Sequence, residues 1–377
     1  MGAEQNRGLL SRHMHGLDYL RGIAVVVVVL YHGFYWSTPT NFPRYFERAF
    51  VKATVFGWLG VNLFFVLSGF LITGILMDTK HKPEYFTSFY MRRILRILPA
   101  YLLMNAVLYF SHFSTATNVA VSLLYLANMK GVLPVSAGYG PFWSLSVEEQ
   151  FYFVWPWIVR KLSSRNLTYF SLAVCFVEPV LRLMSFYRRP PLGDVHEATW
   201  LIADNLAIGA LLAIFARSNF GSKRNAGRLA MALSLAAIVM LGALLPFGIL
   251  HRTNPLGAAL QVVPWNLFFG AILLCALLWG ERIASIRVLR PLRVLGDISY
   301  GLYLVHLFIF AQYDLAVQRL GWPGVDGNFP RSLLRFFIAG SASVIIAWIS
   351  RRYYEQWFLD LKKYFKASAK KAAPVSA

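Results

Sequence analysis

Ten apolar runs, most of them close to 20 residues long, recur along this chain and leave it few ways to fold. They cover approximately Tyr19–Trp36, Phe56–Met77, Ile94–His112, Phe142–Val159, Leu167–Tyr187, Thr199–Ala216, Leu229–Leu250, Val262–Gly280, Leu295–Leu315 and Ser332–Tyr353. Roughly 20 apolar residues in helical form cross the hydrocarbon core of a bilayer. The pattern therefore predicts an all-α, polytopic bundle of about ten spanning helices. Only 14% of residues are charged, against roughly 25% in a soluble domain. The 11 Trp and 19 Tyr suit a protein with many membrane–water crossings. A further run, Val119–Met129, is too short to span and reads as an interfacial or re-entrant piece.

The net charge is +20, yet the basic residues recur in short clusters between apolar runs, and no nucleic-acid motif accompanies them. With the N-terminus placed inside, most of the 37 Lys and Arg fall in segments on that side. Those segments include Lys80 to Arg96, Arg160 to Arg165, Arg217 to Arg228, Arg282 to Arg293 and everything from Arg351 onward. The positive-inside rule then places both termini in the cytoplasm. Residues 1–18 read as a cytoplasmic tail, 19–359 as the membrane domain, and 360–377 as a basic tail suited to anionic lipid. The first apolar run is preceded by no small-residue cleavage site, so it is expected to be retained. Cys175 and Cys275 lie within apolar runs and read as small buried hydrophobes. No metal site is expected.

Ionisable residues inside a bilayer are costly, and those that persist point to function. Arg21 lies near the inner end of the first run, and His32 follows eleven residues later. That interval is three helical turns plus roughly 20°, so the two share a face about 16 Å apart. The fourth run carries Glu148, Glu149 and Gln150 at a depth similar to that of His32. Adjacent positions differ by about 100°, so only one glutamate can face a given partner. Arg93 and Arg96 share a face at the start of the third run. Such a pair suits phosphate as well as membrane anchoring. Asp204, Asp297 and His306 also fall within runs, and Glu355 beside Arg351 and Arg352 reads as a local ion pair. Ser68-Gly69 reads as a close-packing surface.

Five blocks together resemble membrane acyltransferase family 3. They are Leu17-Asp-Tyr-Leu-Arg-Gly with Tyr31-His32; Gly60-Val-Asn-Leu-Phe-Phe-Val-Leu-Ser-Gly-Phe-Leu-Ile-Thr; Arg92-Arg-Ile-Leu-Arg-Ile-Leu-Pro; Trp143-Ser-Leu-Ser-Val-Glu-Glu-Gln-Phe-Tyr; and Gly296-Asp-Ile-Ser-Tyr-Gly-Leu-Tyr-Leu-Val-His. The family's arginine–histidine signature falls on Arg21 and His32, and its Arg-x-x-Arg motif on Arg93 and Arg96. The sequence departs from the family pattern at Asn62, where Asp is common, at Ile202, where Arg is frequent, and at Trp357, where Pro is usual.

The resemblance implies transfer of an acyl group, acetyl in many members, from cytoplasmic acyl-CoA to a hydroxyl. The acceptor would be a carbohydrate or lipid-linked glycan, such as O-antigen or exopolysaccharide, at a bacterial inner membrane. Such chemistry needs a base, a donor for the developing oxyanion and a cation site for the CoA phosphates. His32 is the expected base and Glu149 the carboxylate that orients it. Arg21, Arg93 and Arg96 are the expected acyl-CoA-binding set, with Glu148 and His306 as polar substrate contacts. The rival reading is a transporter or flippase that uses the same buried charges as a substrate path.

Overall fold

The computed structural model describes residues 9–10, 14–35, 42, 44–130, 132–133, 138–188, 197–250, 253–325 and 328–365. Arg7, Arg12 and the tail from residue 366 onward lie outside this set.

Among the described residues fifteen α-helices follow in order: α1 (His15–Leu30), α2 (Tyr45–Thr54), α3 (Leu59–Thr79), α4 (Tyr85–Phe110), α5 (Ala116–Leu123), α6 (Phe142–Lys161), α7 (Ser164–Tyr187) and α8 (Asp204–Arg217). Then come α9 (Lys223–Leu244), α10 (Pro255–Leu260), α11 (Val263–Ser285), α12 (Arg290–Asp297), α13 (Ser299–Arg319), α14 (Phe329–Ile349) and α15 (Gln356–Asp360). Among the described residues there is no strand, only an isolated bridge between Lys130 and Leu133. Polar caps set several starts. Ser163 Oγ accepts from the Asn166 N–H, Ser222 Oγ from Asn225, and Asn328 Oδ1 from Arg331. Each satisfies one of the donors that a helix start leaves open.

Among the described residues eight helical segments are long and apolar enough to cross a membrane, where the sequence predicts ten. The two others are α6 and α8. The 20 residues of α6 suffice in length, but Glu148, Glu149 and Gln150 make it too polar. The 14 residues of α8 are too few, because the start of the sixth run folds into a separate turn, Thr199–Leu201. The ninth run is also interrupted: α12 ends at exposed Asp297 and α13 begins at Ser299. On α9 the large residues Met231, Leu235 and Ile238 are each more than 60% exposed, the pattern of a helix that faces lipid.

Small residues bring the inner helices together. A Cβ added at Gly69 of α3 would lie 2.0 Å from the Leu206 carbonyl oxygen of α8. One added at Gly209 of α8 would lie 2.1 Å from that of Val66. This reciprocal contact holds the two backbones at a distance that only glycine permits, as the Ser68-Gly69 surface predicts. Cys175 and Cys275 are free thiols, both partly buried, on α7 and α11.

Two π-turns interrupt the helical phase, at Tyr31–Tyr35 after α1 and at Ser350–Glu355 after α14. Such turns are uncommon and concentrate at functional sites. The first carries His32.

Candidate active site

A cavity of about 540 Å³ opens between α1, α3, α4, α6 and α13. Arg21, Arg93, Arg96 and Glu148, from three separate regions of the sequence, all line it. The i, i+3 spacing on α4 puts Arg93 and Arg96 on one face. The Arg93 guanidinium lies over the rings of Phe89 and Tyr152, 5.8 and 5.5 Å from their centroids, which fixes its plane. Arg21 Nη1 donates to Asp18 Oδ1 at 3.0 Å. The lining also includes Lys82, Arg92 and Lys362.

Glu148 supplies the cavity's negative charge. Its Oε1 accepts from Ser68 Oγ, and Tyr152 Oη donates to the same Ser68 oxygen at 3.3 Å. Of the three polar residues in this block, Glu148 alone lines the cavity. Glu149 is absent from the lining and lies within electrostatic reach of Tyr101, Tyr125 and Tyr300 as well as of Arg93 and Glu148. Gln150 pins the loop after α5: its Nε2 donates to the Tyr125 carbonyl at 2.8 Å and to Asn128 Oδ1 at 3.0 Å. The rotation of about 100° between successive residues separates these three roles.

At its far end the cavity reaches Ser144 and Tyr303, whose hydroxyl oxygens are 2.5 Å apart. Behind Tyr303, with ring centroids 5.8 Å apart, stands His306, which is fully buried. Its Nδ1 faces the carbonyl oxygens of Tyr303 at 2.8 Å and Leu302 at 3.1 Å. Carbonyls only accept, so Nδ1 carries the proton and Nε2 of the neutral ring is an acceptor. That Nε2 lies 3.0 Å from His32 Nδ1. His32 must therefore donate from Nδ1, which assigns its proton-accepting lone pair to Nε2. His306 thus orients His32, together with the Val28 carbonyl on the preceding turn, whereas the sequence reading gives the orienting role to Glu149.

The π-turn is clamped from α14. Arg335, only 2% exposed, donates Nη1 to the Gly33 carbonyl oxygen at 3.1 Å. Its Nε and Nη2 engage Asp314 at 2.6 and 2.7 Å, and its guanidinium lies 4.6 Å from the Phe310 ring centroid.

The remaining predicted polar residues belong to the scaffold. Asp204 Oδ2 accepts from Arg182 Nη2 at 2.8 Å. Arg182 also donates to the carbonyls of Ala259 and Leu201, both at 2.9 Å. Glu178 caps the start of α8 by accepting from the N–H groups of Ala203 at 3.0 Å and Asp204 at 2.7 Å. Asn62 joins this network through Asn205, 2.9 Å away. Glu355 does not form the predicted local ion pair as its hydrogen bond: it accepts from Ser350 Oγ at 3.0 Å, while Arg351 reaches Gln356. The second π-turn rotates Glu355 inward, against Gly301.

A many-helix membrane bundle built around a cation-lined cavity and a coupled imidazole pair is the class of protein these features define. The chain belongs to the acyltransferase 3 family, whose profile, described as an acyltransferase domain, matches residues 14–352. It is 25% identical to the peptidoglycan O-acetyltransferase OatA of Listeria monocytogenes, over 94% of this chain and 58% of that protein. It is 28% identical to a Bacillus subtilis protein named as a candidate peptidoglycan O-acetyltransferase, YrhL, over 83% of this chain and 51% of that one. The chain thus spans little more than half the length of these relatives. No solved structure matches it.

Proposed function

We propose that this chain moves an acyl group, acetyl in the simplest case, from acyl-CoA to a hydroxyl of a carbohydrate or lipid-linked glycan at a bacterial inner membrane. The observation that carries this reading is an arginine-lined cavity that reaches Tyr303, whose ring packs against His306, which in turn lies 3.0 Å from His32. Arg93 and Arg96 suit bidentate binding of CoA phosphates, and the mouth faces the cytoplasm. The thioester reaches inward toward the histidine pair. His32 Nε2 takes the proton of the acceptor hydroxyl as its oxygen attacks the thioester carbonyl. The Tyr303 hydroxyl donates to the oxyanion that develops. The carbon–sulfur bond then breaks, and the leaving thiolate receives the proton from His32. His306 keeps the His32 tautomer throughout. The relatives' printed names favour peptidoglycan among the acceptors.

Purified protein in liposomes, given acetyl-CoA labelled in its acetyl group and a soluble glycan, is expected to label the glycan. The His32→Ala variant is expected to lose this transfer. Wild-type rates in that variant would overturn the assignment. Label found on the protein itself would favour an acyl-histidine relay over direct attack. Glycan flux across the vesicle without acylation would establish the transporter instead.

A further inference from the structure

The basic cavity has a wall from the opposite end of the chain. After α14 the π-turn at Ser350–Glu355 redirects the backbone, and α15 and the turn Leu361–Phe365 run beneath the start of α4. This strap is tied to α4. Tyr354 Oη donates to the Pro99 carbonyl at 3.2 Å and Ser88 Oγ donates to the Phe365 carbonyl at 2.8 Å, while a bond of 2.6 Å from Gln356 Nε2 to Asp360 stiffens α15 itself. The result places Lys362 in the lining of the cavity with Arg92, Arg93 and Arg96.

In that position Lys362 is surrounded mainly by charges of its own sign. It shares the lining with Arg92, Arg93 and Arg96, and both Arg351 and the carboxylate of Glu355 lie within electrostatic reach. Like charges gathered in a partly desolvated cleft repel, and a polyanion seated among them removes the repulsion. The tethers hold the backbone of the strap beside this cluster, and Lys362 is partly buried there.

We propose that Lys362 is a binding residue for the phosphate groups of the donor nucleotide. The strap thereby completes, from the far end of the chain, the cation set begun by Arg21 on α1 and by Arg93 and Arg96 on α4. This inference rests on the acyl-CoA reading given above.

The test is calorimetric binding of coenzyme A to the detergent-solubilised chain and to three variants, each checked for an unchanged melting temperature and a monodisperse elution profile. Lys362→Arg is expected to bind within about twofold of wild type. Lys362→Gln is expected to bind about tenfold more weakly, the scale of one charge-assisted hydrogen bond, and Lys362→Glu more weakly still. The same order should appear in the Michaelis constant for acetyl-CoA. Equal binding by wild type and Lys362→Gln would overturn the assignment while leaving the acyl-CoA reading intact. Equal weakening in Lys362→Arg and Lys362→Gln would also overturn it, because a shape-dependent scaffold role gives that result. Failure of the wild-type protein to bind coenzyme A would instead overturn the acyl-CoA reading, and this inference with it.

Discussion

His306 Nε2 lies 3.0 Å from His32 Nδ1, and the rings, with centroids 5.0 Å apart, come from residues 274 positions apart in sequence. The carbonyl oxygens of Leu302 and Tyr303 at the other His306 nitrogen fix the direction of the whole chain of hydrogen bonds. The pair works as one unit, so its members should not contribute independently. His32→Ala is expected to lower kcat by about 1000-fold, within the usual range for loss of a general base. His306→Gln should lower it by about 100-fold with little change in the Michaelis constant for acetyl-CoA. The double variant should be no worse than His32→Ala, and initial rates on the three proteins check this. A double variant far below both would mean that the histidines act separately.

Arg335 holds the backbone of the π-turn that carries His32, so in the proposed mechanism it acts as a positioning residue. Lys at this position keeps one charge but cannot hold Asp314 bidentately while it also donates to Gly33. Arg335→Lys is expected to reduce kcat about tenfold and leave the Michaelis constant for acetyl-CoA near its wild-type value. A purely structural arginine would instead lower the yield of folded protein without altering turnover per folded molecule. Active-site titration alongside the rate measurement separates the two.

Arg182 is 1% exposed and faces two buried carboxylates, Asp204 and Glu178. Removing it alone leaves those groups without their cation, at a cost of about 3–5 kcal/mol. Arg182→Met should therefore cause a large fall in melting temperature. Adding Glu178→Gln and Asp204→Asn should recover part of that loss, since the uncompensated charges disappear with the cation. A triple variant less stable than Arg182→Met would contradict this account.

Gly209 faces Val66 across a gap too small for any side chain. Gly209→Val is expected to force α8 away from α3, with an overpacking cost of about 1–3 kcal/mol or more. Size-exclusion profiles in detergent should show loss of the monodisperse peak. Gly227, whose added Cβ would meet nothing within 4 Å, should accept Ala without such a change.

Much of the fold follows from where apolar residues sit in sequence. Eight of the ten runs become helices of spanning length and apolarity because burial in lipid tolerates little else. Arg21, Arg93 and Arg96 meet in one cavity because basic residues at the ends of adjacent helices share a level, which loop charge alone reveals. Phase is what periodicity misses. A regular 3.6-residue turn continued from Arg21 cannot anticipate the π-turn that presents His32 to His306, nor the one that turns Glu355 inward. Arg182 and Arg335 lie within the fifth and tenth runs, where an ionisable residue is itself a signal. Read as loop charges for orientation, they go unrecognised. Tyr303 and Ser144 carry no such mark, because a hydroxyl in an aromatic-rich helix becomes informative only when its partner is known.

The bond between Ser144 and Tyr303 has a further consequence for the cell. A cleft lined by Arg21, Arg93 and Arg96 that ran through the bundle would conduct anions. Each elementary charge crossing the membrane dissipates about 2.3 kcal/mol per 100 mV of potential. The two hydroxyls stand where the cavity ends, with the Tyr303 ring and the aromatic side chains Phe64 and Phe65 around them. Beyond them the Tyr303 ring packs against the fully buried imidazole of His306, so the arginine-lined cleft gives way to packed side chains in that direction, as an insulating layer requires.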